Sequence, residues 1–103
     1  MAEYRRVASV SEVPPGKALV VQVDGKQIAL FNVNGEVYAL NNLCMHRGGP
    51  LGEGRLRGKI ITCPWHGAQY DVTTGQVVSP PAPADAPIYP AKVEDGSVWV
   101  LVS

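Results

Sequence analysis

The chain has 103 residues, 46% of them hydrophobic, and its nine Lys and Arg residues balance nine Asp and Glu residues to a formal net charge of zero. This length predicts a single domain over residues 1–103, with a small core. The basic residues are scattered, which argues against the basic face that nucleic-acid binders need. No apolar stretch approaches the roughly 20 residues that cross a bilayer, so we expect a soluble, cytoplasmic protein with no membrane partner.

Hairpin-type turn dipeptides divide the chain at Asp24-Gly25, Asn34-Gly35, Thr74-Gly75 and Asp95-Gly96. The runs between them are rich in Val, Ile and aromatic residues, and most prolines lie between these runs, where a missing N–H costs no ladder bond. The predicted strands are Lys17–Val23, Gln27–Val33, Glu36–Leu40, Lys59–Thr62, Ala91–Glu94 and Ser97–Val102. The sequence therefore predicts an all-β fold of short antiparallel sheets, arranged as a sandwich or a small barrel.

Every cysteine and histidine of the chain falls into one of two short segments, Cys44-Met45-His46 and Cys63-Pro64-Trp65-His66. Each segment follows a predicted strand, so both are expected to be loops, which can converge on one point near solvent. The glycines Gly49 and Gly67 fit this picture because they allow the backbone to approach a metal closely. One thiolate and one imidazole from each loop could hold two metal atoms asymmetrically, which is the ligation of a Rieske [2Fe–2S] centre.

Two other interpretations of these four residues remain open on the sequence. Zinc accepts two cysteines and two histidines, but its common spacings pair Cys with Cys and His with His, whereas each segment here mixes the two. A disulfide between Cys44 and Cys63 would leave the neighbouring histidines unexplained. Both alternatives fit the spacing less well than an iron–sulfur cluster.

The two segments, Cys44–Leu51 and Cys63–Gly67, are similar to the cluster-binding loops of the Rieske iron–sulfur family. A third loop of that family resembles Pro80-Pro81-Ala82-Pro83, and the flanking hairpins fit the family's three-sheet fold. By this resemblance, Cys44 and Cys63 bind one iron of a single [2Fe–2S] cluster. His46 and His66 bind the other iron, and Pro81 lies in a loop that covers the cluster.

The resemblance also indicates which branch of the family is closest. The respiratory branch carries a disulfide between positions that match Gly49 and Trp65, and both cysteines are absent here. The chain instead resembles the soluble ferredoxins of bacterial ring-hydroxylating oxygenases. Tyr70 matches the family tyrosine that donates a hydrogen bond to a cysteine sulfur. Ala68 replaces a serine donor of high-potential members, so we expect a potential well below the top of the Rieske range.

The resemblance implies a one-electron carrier rather than an enzyme. It would pass electrons from a flavin-dependent reductase to a terminal, aromatic-ring-hydroxylating oxygenase, and we expect a monomer. Met45 and Trp65 are either core residues or residues that shield the cluster and contact the partner. The alternative function is a small Rieske subunit of a larger oxidoreductase, such as an assimilatory nitrite reductase. A redox sensor is a third possibility, for which the chain shows no output domain.

Overall fold

The computed structural model of the chain describes residues 3–42, 51–64, 67–79 and 88–102. These residues form three antiparallel sheets and two short 3-10 helices, Val10–Glu12 and Leu51–Glu53. The strands are β1 (Glu3–Ser9), β2 (Ala18–Val23), β3 (Lys26–Val33), β4 (Glu36–Asn41), β5 (Arg55–Arg57), β6 (Ile60–Thr62), β7 (Gln69–Asp71), β8 (Val77–Ser79), β9 (Ile88–Tyr89), β10 (Ala91–Glu94) and β11 (Ser97–Val102).

The first sheet has the order β1-β11-β10, the second β2-β3-β4-β9, and the third β5-β6-β7-β8. The prediction of an all-β fold of short antiparallel sheets is confirmed. Of the two predicted arrangements, the barrel is not formed, because none of the three sheets closes on itself within the described ranges. Nor does any helix in the described part of the chain have the length and apolar character needed to span a membrane.

Three of the four predicted turns are two-residue hairpin turns. Asp24 (φ 50°) and Gly25 (φ 79°) join β2 to β3, Asn34 and Gly35 join β3 to β4, and Asp95 and Gly96 join β10 to β11. All six residues have positive φ, as a type I′ turn requires. At the fourth position the backbone carbonyl of Asp71 accepts the N–H of Gly75 at 2.7 Å, so the β7–β8 turn is longer than two residues.

The second sheet lies in the middle of the molecule and packs on both faces. Along β3, residues alternate between the faces because successive side chains of a strand point to opposite sides. Ile28 and Leu30 pack in a core cluster with residues of the first sheet, including Val98. Ala29 and Phe31 pack in a second cluster with residues of the third sheet. This second cluster contains Leu51 and Cys63, one from each of the two predicted ligand loops.

The sequence did not predict five of the eleven strands of the described residues, namely β1, β5, β7, β8 and β9. The predicted strand Lys59–Thr62 begins at Ile60, because Gly58 (φ 61°) and Lys59 form the turn between β5 and β6. Most of the missed strands are only two or three residues long, and their extended conformation depends on pairing with a neighbour rather than on a local pattern.

Candidate metal centre

The second predicted ligand segment lies at the end of the β6–β7 hairpin. Cys63 follows β6, and its N–H donates to the carbonyl of Ala68 at 2.8 Å. The N–H of Gly67 donates to the carbonyl of Cys63 at 3.1 Å, and Gly67 has a φ of +77° that side chains rarely tolerate. These bonds continue the strand pairing of Thr62 with Gln69 and fix the two ends of the segment.

Cys63 is only 2% exposed and belongs to the buried cluster between the second and third sheets. Tyr70 and Ala68, both fully buried, lie in the same cluster. Tyr70 is the central residue of β7 and pairs with Ile61 on β6. A cysteine sulfur held in this apolar surrounding is shielded from solvent, as a ligand of an iron–sulfur cluster needs.

Two hydrogen bonds join the chain just before residues 43–50, which contain the first pair of predicted ligands, to the chain just after them. The carbonyl of Asn42 accepts the N–H of Leu51 at 2.6 Å, and the Oδ1 of Asn42 accepts the N–H of Gly52 at 2.7 Å. Leu51 is fully buried in the cluster that contains Cys63. The chain on either side of residues 43–50 is therefore fixed to the same core as the second segment.

The remaining predicted site residues lie outside the described residues. These are Cys44, Met45, His46, Gly49, Trp65, His66 and Pro81. Within the described ranges, no three Cys, His, Asp or Glu side chains are grouped to hold a metal ion. Of the predicted set, the structure places Cys63, Gly67 and Tyr70, and it brings Cys63 and Tyr70 into one buried cluster.

An open groove of about 790 Å³ runs beside Cys63. Two glycines on its wall are closely packed: a Cβ on Gly54 would overlap the backbone carbonyl oxygen of Thr62, and a Cβ on Gly52 would overlap the side chain of Val20. The groove is lined by Gly16, Lys17, Ala18, Gly52, Glu53, Gly54, Arg55, Leu56, Thr62, Cys63, Pro64 and Gly67. A buried sulfur, glycine-lined backbone and a donor set of two Cys–His pairs fit an iron–sulfur cluster held near the surface.

The outward face of the third sheet is positively charged next to this groove. Arg55 and Arg57 are exposed on β5, with no ion pair to any described residue. Lys59, in contrast, pairs with Asp71 at 3.3 Å. Partial burial raises the pKa of the Asp71 carboxyl, but hydrogen bonds from Thr73 and the charge of Lys59 outweigh this and hold its pKa below the ordinary value.

Sequence reasoning missed Asn42 and Leu51. Asn42 stands two residues before Cys44, and a buried asparagine whose side chain accepts a backbone N–H is a common loop-closing residue. In the sequence, the only sign of this role is that Asn42 lies close to the first ligand segment. Its partner Gly52, ten residues further on, can be identified only in the folded chain.

The model of the Rieske [2Fe-2S] domain family matches residues 3–90 of the chain. Among curated proteins, the chain is 41% identical over 93 residues to the ferredoxin component of the naphthalene 1,2-dioxygenase/salicylate 5-hydroxylase systems of Ralstonia sp. That match covers 90% of this chain and 89% of the relative.

Two solved structures have closely similar folds. The Sphingomonas yanoikuyae B1 ferredoxin superposes with a TM-score of 0.91 at 33% identity, over 98% of this chain and all of that one. A chain in the complex of reduced oxygenase and oxidized ferredoxin of carbazole 1,9a-dioxygenase gives a TM-score of 0.89 at 32% identity, over 94% of this chain and 91% of the other.

Proposed function

Because the chain belongs to the Rieske [2Fe-2S] domain family, we propose that the two Cys–His segments hold its one [2Fe–2S] cluster. Cys44 and Cys63 bind one iron through their thiolates, and His46 and His66 bind the other through ring nitrogens. This ligand set is supported by the burial of Cys63 and by the anchoring of both segments to one core.

The ligand set determines what the cluster supplies when bound, which is a site that accepts and releases one electron. Two thiolates and two neutral imidazoles carry less negative charge than four thiolates, so reduction is easier. Rieske-type ligation gives potentials of roughly −150 to +300 mV, against about −400 mV for plant-type ferredoxins. The protein's own residues tune the potential within this range through hydrogen bonds to sulfur and through solvent access.

The protein is a ferredoxin component that delivers electrons to the terminal oxygenase of an aromatic-ring dioxygenase system. The observation that carries this assignment is the likeness, over nearly the whole chain, to the Ralstonia ferredoxin component. The complex of oxygenase and ferredoxin in carbazole 1,9a-dioxygenase supports direct transfer between two such proteins. The relatives are named as electron-transfer components, so this chain is a carrier and not the enzyme of the system.

We further propose that the electron donor is a flavin-dependent reductase, since a soluble carrier needs a partner that turns two-electron reduction into single-electron steps. The carrier acts as a monomer of a single domain over residues 1–103. A cytoplasmic location suits the two cysteines, because this compartment keeps thiols reduced and available as ligands.

The cluster assignment is tested on the purified protein. Iron and acid-labile sulfide are expected in equal amounts, two of each per chain, and Mössbauer spectra are expected to show two inequivalent irons. His66→Cys is expected to lower the reduction potential or to lose the cluster. A colourless protein with one zinc per chain, or two equivalent irons, would refute the ligand set.

The carrier assignment is tested by mixing the reduced protein with the oxygenase component of a related dioxygenase system and following oxidation of the cluster by visible absorbance. Transfer is expected to be fast and to slow as salt is added. A complex that persists through purification at high salt would instead indicate a permanent subunit, as in an assimilatory nitrite reductase.

A further inference from the structure

Asn42 immediately precedes residues 43–50, which contain the first pair of predicted ligands. It forms hydrogen bonds with the chain that follows these residues and with β3. Its Oδ1 accepts the N–H of Gly52 at 2.7 Å, and its backbone carbonyl accepts the N–H of Leu51 at 2.6 Å. Its Nδ2 donates to the Oε1 of Gln27 at 3.2 Å, and its N–H donates to the backbone carbonyl of Gln27 at 3.0 Å. One residue therefore ties the chain before residues 43–50 to the chain after them and to β3.

The contact between Asn42 and Gly52 is partly buried and tightly packed. Asn42 is 3% exposed. A Cβ built on Gly52 would lie 2.9 Å from the Oδ1 of Asn42 and 3.3 Å from the Cβ of Ala29, and would overlap Val20. Loss of that oxygen would take from the Gly52 N–H its partner among the described residues, and a partly buried donor left unpaired costs free energy.

Leu51 connects the region around Asn42 to the second ligand segment. It precedes Gly52 in the 3-10 helix Leu51–Glu53 and is fully buried in the cluster that contains Cys63 and Tyr70. The carbonyl of Leu51 also accepts the N–H of Gly54 at 3.1 Å. The end of the first segment is thereby held against the residues that carry the second.

We propose that Asn42 is a positioning residue for the cluster: its Oδ1 fixes Gly52, the neighbour of buried Leu51, and so holds the first ligand segment in place relative to Cys63. The inference rests on the ligand set proposed above. It assigns to Asn42 a role in retaining the cluster that is separate from its contribution to the stability of the fold.

Asn32 provides a matched control. It is also a buried asparagine, 2% exposed, whose Nδ2 donates to the carbonyl of Val13 at 2.8 Å and whose Oδ1 accepts the N–H of Gly35 at 2.8 Å. Asn32 is two residues after Leu30 on β3, so the two side chains lie on the same face of the sheet. That face packs against the first sheet, on the side away from Cys63. Among the described residues, Asn42→Leu and Asn32→Leu each remove one donated and one accepted side-chain hydrogen bond.

The experiment measures loss of the visible absorbance of the holoproteins in excess iron chelator, together with their thermal unfolding by far-ultraviolet circular dichroism. Both leucine variants are expected to lower the unfolding temperature. Only Asn42→Leu is expected to release the cluster about tenfold faster, which corresponds to about 1.4 kcal/mol in the barrier, and to change the visible circular dichroism of the cluster. Equal release rates for Asn42→Leu and Asn32→Leu would overturn the proposal.

Asn42→Asp tests the acceptor directly and decides the question if Asn42→Leu cannot be purified folded. An oxygen of the new carboxyl group can still accept the N–H of Gly52, and the exposed amide of Gln27 can rotate to donate to the other oxygen. Release within about twofold of the unsubstituted rate is expected, since the acceptor is kept. Release about tenfold faster would overturn the proposal. An unsubstituted protein without iron would refute the ligand set instead, so the two failures are distinguishable.

Discussion

Tyr70 and Ala68 lie on either side of Gln69 at the start of β7, and both are fully buried in the cluster that contains Cys63. Tyr70 can supply a hydroxyl donor to a ligand sulfur, and Ala68 has no donor to offer. Hydrogen bonds to sulfur stabilise the reduced, more negative cluster and raise its potential. We therefore expect single side chains at these two positions to influence the reduction potential of the cluster.

We expect Tyr70→Phe to lower the reduction potential and Ala68→Ser to raise it, with voltammetry as the measurement. Both variants differ from the unsubstituted protein by one hydroxyl group, so each serves as the control of the other for a general effect of substitution. The unsubstituted potential is expected well below the upper end of the range of roughly −150 to +300 mV. A value near +300 mV, or shifts of the same sign in both variants, would contradict this.

Asp71 shows how a partly buried carboxylate stabilises the β7–β8 turn. Its Oδ1 accepts the N–H of Thr73 at 2.9 Å and the hydroxyl of Thr73 at 2.6 Å, and Lys59 lies 3.3 Å from its Oδ2. Despite its partial burial, these partners hold the pKa of Asp71 below the ordinary value of 3.8. A carboxyl with a lowered folded-state pKa stabilises the fold when it is ionised.

Asp71→Asn is therefore expected to lower the free energy of unfolding by about 1 kcal/mol at neutral pH. The loss in free energy of unfolding reaches its largest value above the pKa of the unfolded state. It disappears as the pH falls through the lower pKa of the folded state. Urea unfolding at a series of pH values measures it. Asp95→Asn, at an exposed type I′ turn that accepts Asn, is the control with little expected change. A difference that does not vary with pH would exclude the carboxylate as the cause.

At the scale of the elements, the β5–β6 hairpin depends on two glycines for different reasons. Gly54 precedes β5, and its missing side chain leaves room for the carbonyl oxygen of Thr62 on β6. Gly58 lies in the turn with a φ of +61° and open space around it. At Gly54 the requirement is steric, because a side chain would meet backbone that the sheet holds in place. At Gly58 only the positive φ favours glycine.

Gly54→Ala is expected to cost about 3 kcal/mol in the free energy of unfolding, because the new methyl group forces backbone apart. Gly58→Ala is expected to cost about 1 kcal/mol, the usual cost of a left-handed conformation outside glycine. Denaturant unfolding of the holoproteins compares the two. The close approach at Gly54 would be refuted if the two variants lost equal stability.

The short strands show why some elements are determined outside their own sequence. Gln69-Tyr70-Asp71 contains one apolar residue and no period-two pattern of useful length. It is a strand because Ile61 and Thr62 on β6 pair with it and because Tyr70 packs between the sheets. The type I′ turns, in contrast, need positive φ at two adjacent residues, and Asn, Asp and Gly meet that need locally.

At the scale of the whole molecule, charge is distributed unevenly although the net charge is zero. Arg55 and Arg57 project from the outward face of the third sheet, and exposed Val78 lies on the same sheet. Of the two arginines, Arg55 also lines the groove at Cys63. A basic surface next to the proposed cluster site favours encounter with an acidic partner surface. This face is the expected docking surface for the oxygenase.

Replacing Arg55 and Arg57 by Glu is expected to slow electron transfer to the oxygenase about tenfold at low ionic strength. The effect should fade as salt is raised, because charges are screened beyond about 10 Å at 0.1 M. Stopped-flow oxidation of the reduced protein measures the rate. Arg6→Glu, on β1 of the first sheet, is the charge control. Docking through another face is indicated if Arg6→Glu slows transfer as much as the double variant.

The all-β fold, the main hairpins and the cluster family could all be predicted from the sequence. These depend on local properties: the φ preference of a turn dipeptide, the donor atoms of two Cys–His segments, and the spacing within each segment. A ligand set is visible in a sequence because iron accepts few kinds of donor atom, and those donors stand in two short runs.

The contacts made at the ends of those segments can be seen only in the folded chain. That Leu51 and Cys63 share one buried cluster, that Asn42 accepts the N–H of Gly52, and that Arg55 faces outward beside the groove all depend on contacts between residues far apart along the chain. Burial and hydrogen bonding at such contacts arise when sheets pack on one another. No local pattern encodes them, because the same residues would behave differently against other neighbours.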